Sequence, residues 1–186
     1  MVGALALPVA GYAATTNIDA VAEFLTAITL GNEQNMDFGT VEFSAAPAAG
    51  STASLGTDGN IAYAGVFSGL GTGTAGSVDI TAGTNGQTVE VFCDQTATMT
   101  DGSGASIDVA GIEVVAEGGE GAYGTGSACN GTGGAAATNL VLNVGTLDTF
   151  VFGGQVDGST AASFVAGSYS TGNAGGDDIQ IDVFYQ

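Results

Sequence analysis

Ile179-Gln180-Ile181-Asp182-Val183-Phe184-Tyr185-Gln186 puts Ile179, Ile181, Val183 and Tyr185 on one side of an extended chain and Gln180, Asp182, Phe184 and Gln186 on the other. Period-two alternation in β-branched and aromatic residues is the signature of a half-buried strand. Working back along the chain, the same reading predicts strands at 36–44, 61–68, 77–81, 88–93, 97–99, 107–109, 112–116, 139–144, 146–152 and 163–170. Glycine-bearing pairs punctuate them: Asp58-Gly59, Asn85-Gly86, Asp101-Gly102, Asn130-Gly131 and Asp157-Gly158. Each is a turn signal between strands. The stretches 45–57, 117–137 and 171–177 are rich in glycine and alanine and read as loops. Short strands at this spacing predict an all-β fold, an antiparallel Ig-like β-sandwich. No internal repeat is visible.

Composition agrees. The 186 residues are 45% hydrophobic, enough for a core, and include 33 glycines but only two prolines. The charge is one-sided, with 19 aspartates and glutamates and no lysine, arginine or histidine. An average chain of this length carries roughly 20 basic side chains. Their absence removes cationic phosphate clamps, Schiff-base chemistry and imidazole general-base catalysis. Lysine–asparagine isopeptide cross-links are excluded too. A Ser-His-Asp triad cannot be built, and zinc hydrolysis loses its usual ligands. No pair among the 19 acids is marked as a glycosidase dyad. The expectation is a protein that is not an enzyme and has no resident cofactor. A formal charge of −19 also argues against nucleic acid and anionic membrane as partners. Trypsin-like proteases find no cleavage site.

Residues 1–13, Met-Val-Gly-Ala-Leu-Ala-Leu-Pro-Val-Ala-Gly-Tyr-Ala, look like the apolar core and small-residue end of a secretory signal, without its basic flank. The other reading is a retained segment in which Leu5, Leu7 and Val9 share one face. The stretch is too short to span a membrane, and no membrane insertion is expected. The implied location is secreted, extracellular or at the cell surface. Cys93 and Cys129, the only cysteines, are then expected to form one disulfide.

Residues 14–30 form a distinct N-terminal unit ahead of a sandwich domain at 31–186. Ile18, Ala20, Ala22 and Phe24 fall on one side of a strand, with Asp19, Val21, Glu23 and Leu25 on the other. A helical reading with Val21, Phe24, Leu25 and Ile28 on one face also fits, but a strand is favoured because everything downstream is β. Fibre subunits donate such a segment to a neighbour's groove, gaining main-chain hydrogen bonds and pockets for alternate side chains.

Hard oxygen ligands for calcium are offered at Asp58-Gly59-Asn60, Asp101-Gly102-Ser103, Asp157-Gly158-Ser159 and Asp177-Asp178. None fits an EF-hand loop, and turn chemistry explains the Asp-Gly pairs equally well. Asp177 and Asp178 are the strongest candidates, because adjacent acids without a basic neighbour repel. Asn130-Gly131-Thr132 is the sole N-glycosylation sequon.

Three features together resemble a family of secreted bacterial β-sandwich proteins catalogued as a domain of unknown function and often compared with fimbrial subunits. They are Met36-Asp37-Phe38-Gly39-Thr40-Val41, then Tyr63-Ala64-Gly65-Val66-Phe67-Ser68-Gly69, and the pair Ala166-Gly167-Ser168-Tyr169-Ser170-Thr171-Gly172 with Ile179 to Tyr185. The resemblance implies secretion, an Ig-like sandwich and, loosely, surface assembly. It brings no catalytic residues. The expectation is therefore a subunit of an extracellular filament or pilus, a homopolymer joined by donation of the strand Ile18, Ala20, Ala22 and Phe24. The alternative is a secreted or cell-surface binding module, an adhesin or matrix protein, with calcium as a candidate stabilising ion.

Overall fold

The computed structural model describes residues 21–131, 133–143 and 148–186. Among these residues there is no helix, and every ladder between strands is antiparallel. The fold is an all-β sandwich, as the alternation predicts. Thirteen strands lie among the described residues: β1 (Thr29–Gln34), β2 (Val41–Phe43), β3 (Thr52–Leu55), β4 (Ile61–Ala64), β5 (Phe67–Gly69), β6 (Gly76–Ala82), β7 (Thr88–Cys93), β8 (Ala97–Thr100), β9 (Ser106–Ala116), β10 (Ser127–Ala128), β11 (Thr138–Val141), β12 (Asp148–Ala162) and β13 (Ile181–Tyr185).

The main sheet is organised by β12. One edge of β12 pairs with β6 over residues 148–152 and then with β3 over residues 154–157; the other edge carries β9. Beyond these lie β1 on β6, β4 on β3, and β8 and β10 on β9. The second sheet has the order β11-β7-β13, and β2 pairs with β5 in a small ribbon. Phe150, Phe152 and Val156 of β12, with Ile107, Val109, Ile112 and Val114 of β9, form one wall of the core. Val89, Val91 and Cys93 of β7 form the other, and their outward neighbours Thr88, Glu90 and Phe92 are only partly covered.

The predicted strands at 107–109 and 112–116 are one strand. Ile107 and Val109 are buried at odd positions, whereas Ile112 and Val114 are buried at even ones. The phase change comes from one extra residue: β12 advances two positions from Gly153 to Gln155 while β9 moves three, from Glu113 to Ala110. Gly111, with φ of 56°, takes up the bulge.

Other expectations are corrected. Residues 21–28 are not part of a strand; β1 starts at Thr29, so Thr29 and Leu30 pair with β6 in the sandwich. The predicted 61–68 strand is broken at Gly65, where φ of 68° turns the chain between β4 and β5. Residues 163–170 form no strand: Ser163 has φ of 50°, and the chain leaves the sheet there to run past β8, touching it through bridges at Ser170 and Asp177. Asp157-Gly158 is not a turn but lies within β12, where Asp157 faces both Thr52 and Asp108. Gly158 is needed for contact, since a Cβ there would lie 2.7 Å from the Ser51 Cβ. The expected loop at 45–57 contains β3, and the one at 117–137 contains β10. The motif at 36–41 contributes only a bridge at Asp37 and the start of β2.

Candidate assembly surface

The first described residues follow the predicted donor alternation without a strand to pair with. Ile18 and Ala20 lie outside the described residues, as do residues 1–13. Ala22 is exposed, and Val21 and Phe24 are 95% and 92% exposed. The segment is tethered at Glu23 and Thr26. The Thr26 amide donates to Thr84 Oγ1 (2.6 Å), the Tyr185 hydroxyl donates to the Thr26 carbonyl (2.6 Å), and Gln87 Nε2 donates to Glu23 Oε1 (3.1 Å). These contacts hold it beside the β6–β7 turn and the C-terminal end of β13. An apolar residue as large as Phe24 left in water forgoes about 1.5–3 kcal/mol of burial.

A groove of about 600 Å³ opens elsewhere between the layers. Leu30 of β1, Met36, Val78 of β6, Met99 of β8 and Phe152 of β12 line its floor, and Ile179 and Ile181 line its far wall. Tyr169, at one end, stacks on Phe164 (4.9 Å between ring centres), which meets Phe43 edge-on at 5.2 Å. β1 runs along one side of it, and residues 169–172, Asp178 and Ile179 with Ile181, the first residue of β13, form the other; β1 and β13 each have a single strand neighbour among the described residues. Sequence reading identified the segment but not the groove.

Other candidate residues are placed separately. Cys93 and Cys129 form the disulfide, with Cα atoms 5.0 Å apart. It joins the end of β7 to the residue after β10, linking the two sheets, and the Cys129 amide also donates to the Ile112 carbonyl at 2.8 Å. Closing a loop of 36 residues stabilises by about 3–4 kcal/mol in the chain-entropy picture. Asn130 is exposed just beyond it.

The acids are managed without cations. Asp58 Oδ1 accepts the Asn60 amide (3.0 Å) and Oδ2 accepts Asn60 Nδ2 (2.8 Å). The side-chain bond, then the backbone bond, holds the Asp58 carboxyl below the usual aspartate value. Asp101 Oδ1 accepts the Ser103 and Ala105 amides (2.7 and 3.0 Å), and Asp157 Oδ1 accepts the Ser159 amide (2.8 Å). Asp177 and Asp178 are exposed, and Asp178 stands at the groove's edge. Among the described residues no three acidic or thiol side chains converge as a metal cage. No helix among them is long and apolar enough to cross a membrane.

One acid was not singled out by sequence. Glu113 sits on β9 between Ile112 and Val114, on the side facing the 117–126 loop, and is 4% exposed. Its Oε2 accepts the Gly124 and Gly126 amides (2.9 and 3.0 Å), whereas Oε1 has no partner. Burial, and then the Glu113 charge, push the nearby Tyr123 hydroxyl above its ordinary pKa. The buried Asp79 is better served, by Asn32 Nδ2 (2.9 Å) and the Thr149 hydroxyl (2.6 Å).

No curated protein and no solved structure matches the chain. The profile of the family described as Domain of unknown function (DUF4402) matches residues 28–185, which takes in every strand of the sandwich and leaves the exposed segment before Ile28 outside it. The chain therefore belongs to the DUF4402 family.

Proposed function

We propose that this protein is a secreted structural subunit of an extracellular filament, joined head to tail by its N-terminal segment. The observation that carries the reading is the state of residues 21–25. They are mostly apolar, have no strand partner among the described residues, and leave Val21 and Phe24 almost wholly in water. The disulfide fits an exported protein. The chain's lack of basic chemistry fits a protein whose role is mechanical. One donor and one acceptor per copy make a heterologous contact, which generates an open filament when its rotation does not close.

Phe24→Asp tests this. Phe24 contributes almost no burial to its own domain, so the variant should melt within about 0.5 kcal/mol of the parent, as surface substitutions do. It should nevertheless lose the filaments that electron microscopy shows for the parent. Dispersed particles from the parent at high concentration, in saline with calcium, would reject the filament and favour a monomeric binding module. Unfolding of the Phe24→Asp variant would place the segment in its own core.

A further inference from the structure

We infer that the groove between β1 and β13 is the acceptor, and that its occupant is the Ala22–Leu25 segment of a second copy of this chain. The inference rests on the filament reading and adds to it the receiving surface.

Three observations select this occupant. First, Leu30, Met36, Val78, Met99 and Phe152 give the groove an apolar floor, with Glu33 and Asp178 among its polar lining, and it reaches from β1 to the start of β13, each with one strand neighbour among the described residues. That is the arrangement an added strand requires: main-chain groups at the rim and side-chain pockets beneath. Second, the segment's alternation puts Ala22 and Phe24 on one side and Glu23, flanked by Val21 and Leu25, on the other, so a strand inserted with Phe24 toward the floor keeps its carboxylate at the mouth. Third, a copy's own segment is held elsewhere. Thr26 is bonded to Thr84 and Tyr185, beyond the end of β13 opposite the groove's Ile181, and Glu23 to Gln87 on the same side, while Val21 and Phe24 stay in water. Asn32, with φ of 54°, interrupts the β1 ladder, so main-chain pairing is expected on the regular β13 rim.

The chain has no lysine and its two cysteines are paired, so a short bismaleimide leaves the parent untouched. The full chain is made with Ala22→Cys and Met99→Cys together, and separately with Ala22→Cys and Leu70→Cys, so that Phe24 is kept; Leu70 is exposed and outside the groove. The expected result is a ladder of covalent multimers for the Met99 pair, at least tenfold stronger than for the Leu70 pair. If Met99→Cys unfolds the domain, Asp178→Cys, exposed at the groove's edge, gives the same readout. Filaments on the grid with equal ladders, or with a ladder only from Leu70, overturn the groove and leave the filament reading standing. An internally cross-linked monomer overturns the second copy as occupant. Neither filaments nor ladder overturns both.

Discussion

A buried carboxylate in a chain without cations has only amides and hydroxyls to hold it, and Glu113 shows the cost. Oε2 is satisfied by two loop amides, whereas Oε1 is buried with nothing to accept from. Burying an unpaired charge is among the most expensive arrangements a core can hold. Glu113→Gln keeps an oxygen for Gly124 and Gly126 and removes the charge. It should raise stability at neutral pH by about 1 kcal/mol, read as a rise in Tm of about 2–4 °C. Glu113→Ala loses both bonds and strands two glycine amides, and should cost about 2–3 kcal/mol. Tyr123 supplies a pH test of the same contact. Its hydroxyl keeps its proton to higher pH in the folded chain than the ordinary value of 10.0, through burial and then the Glu113 charge. Above about pH 10 the unfolded chain therefore binds fewer protons than the folded one, and stability falls as pH rises through that range. Below it the effect vanishes. In Glu113→Gln the second cause is gone, so the alkaline loss should shrink, as followed by tyrosinate absorbance and melting together. An identical alkaline limb in parent and variant would show that Glu113 does not act on Tyr123.

At the scale of the element, β9 depends on a single residue out of phase. Gly111 holds φ of 56° and lies against the Tyr123 hydroxyl, where a Cβ would collide. Gly86 has a similar φ of 79°, but nothing stands near it. Gly86→Ala should therefore cost about 1 kcal/mol, for backbone strain alone. Gly111→Ala should cost roughly twice that, because overpacking is added to the strain; equal losses in denaturant melts would show that the bulge relaxes freely. The same bulge explains how far the sequence could be read. Both halves of β9 were legible as alternation, but their continuity was not, since the extra residue reverses the phase. β7 and β13 were legible because their neighbours leave one face wet, so polar and apolar residues alternate. β3 was not: Thr52-Ala53-Ser54-Leu55 is small and polar, and only pairing with β12 and β4 makes it a strand. In β12, contact with β3 and β9 overrides the turn chemistry of Asp157-Gly158. The candidate site divides the same way. The exposed segment is local, so its apolar residues could be singled out in the sequence, whereas the groove collects residues from strands as distant as β1 and β13, which no spacing encodes.

Across the whole molecule, 19 carboxylates face one another with no opposing side-chain charge. The local answer is Asx capping, as at Asp58, Asp101 and Asp157. Capping settles each group but does nothing for the long-range field, which opposes both the compact state and the approach of a second copy. Added salt acts on that field. The Debye length falls from about 30 Å at 0.01 M to about 3 Å at 1 M, so Tm and the extent of assembly should both rise over this range. Screening depends on ionic strength, whereas a calcium site depends on the cation. Magnesium and calcium chlorides matched in ionic strength to sodium chloride therefore separate the two. If screening alone operates, the Tm curves superimpose. If Asp177 and Asp178 form a calcium site, calcium adds a rise at millimolar concentration that follows RT ln(1 + [L]/Kd), and Asp178→Asn removes the increment without altering the sodium curve. Asp178 stands at the groove's edge, where the proposed entering strand would bring Glu23. A cation bound there would neutralise the repulsion at that mouth, so calcium should then promote filaments at an ionic strength where sodium does not. Filaments that grow equally in both salts would assign the effect to the general field.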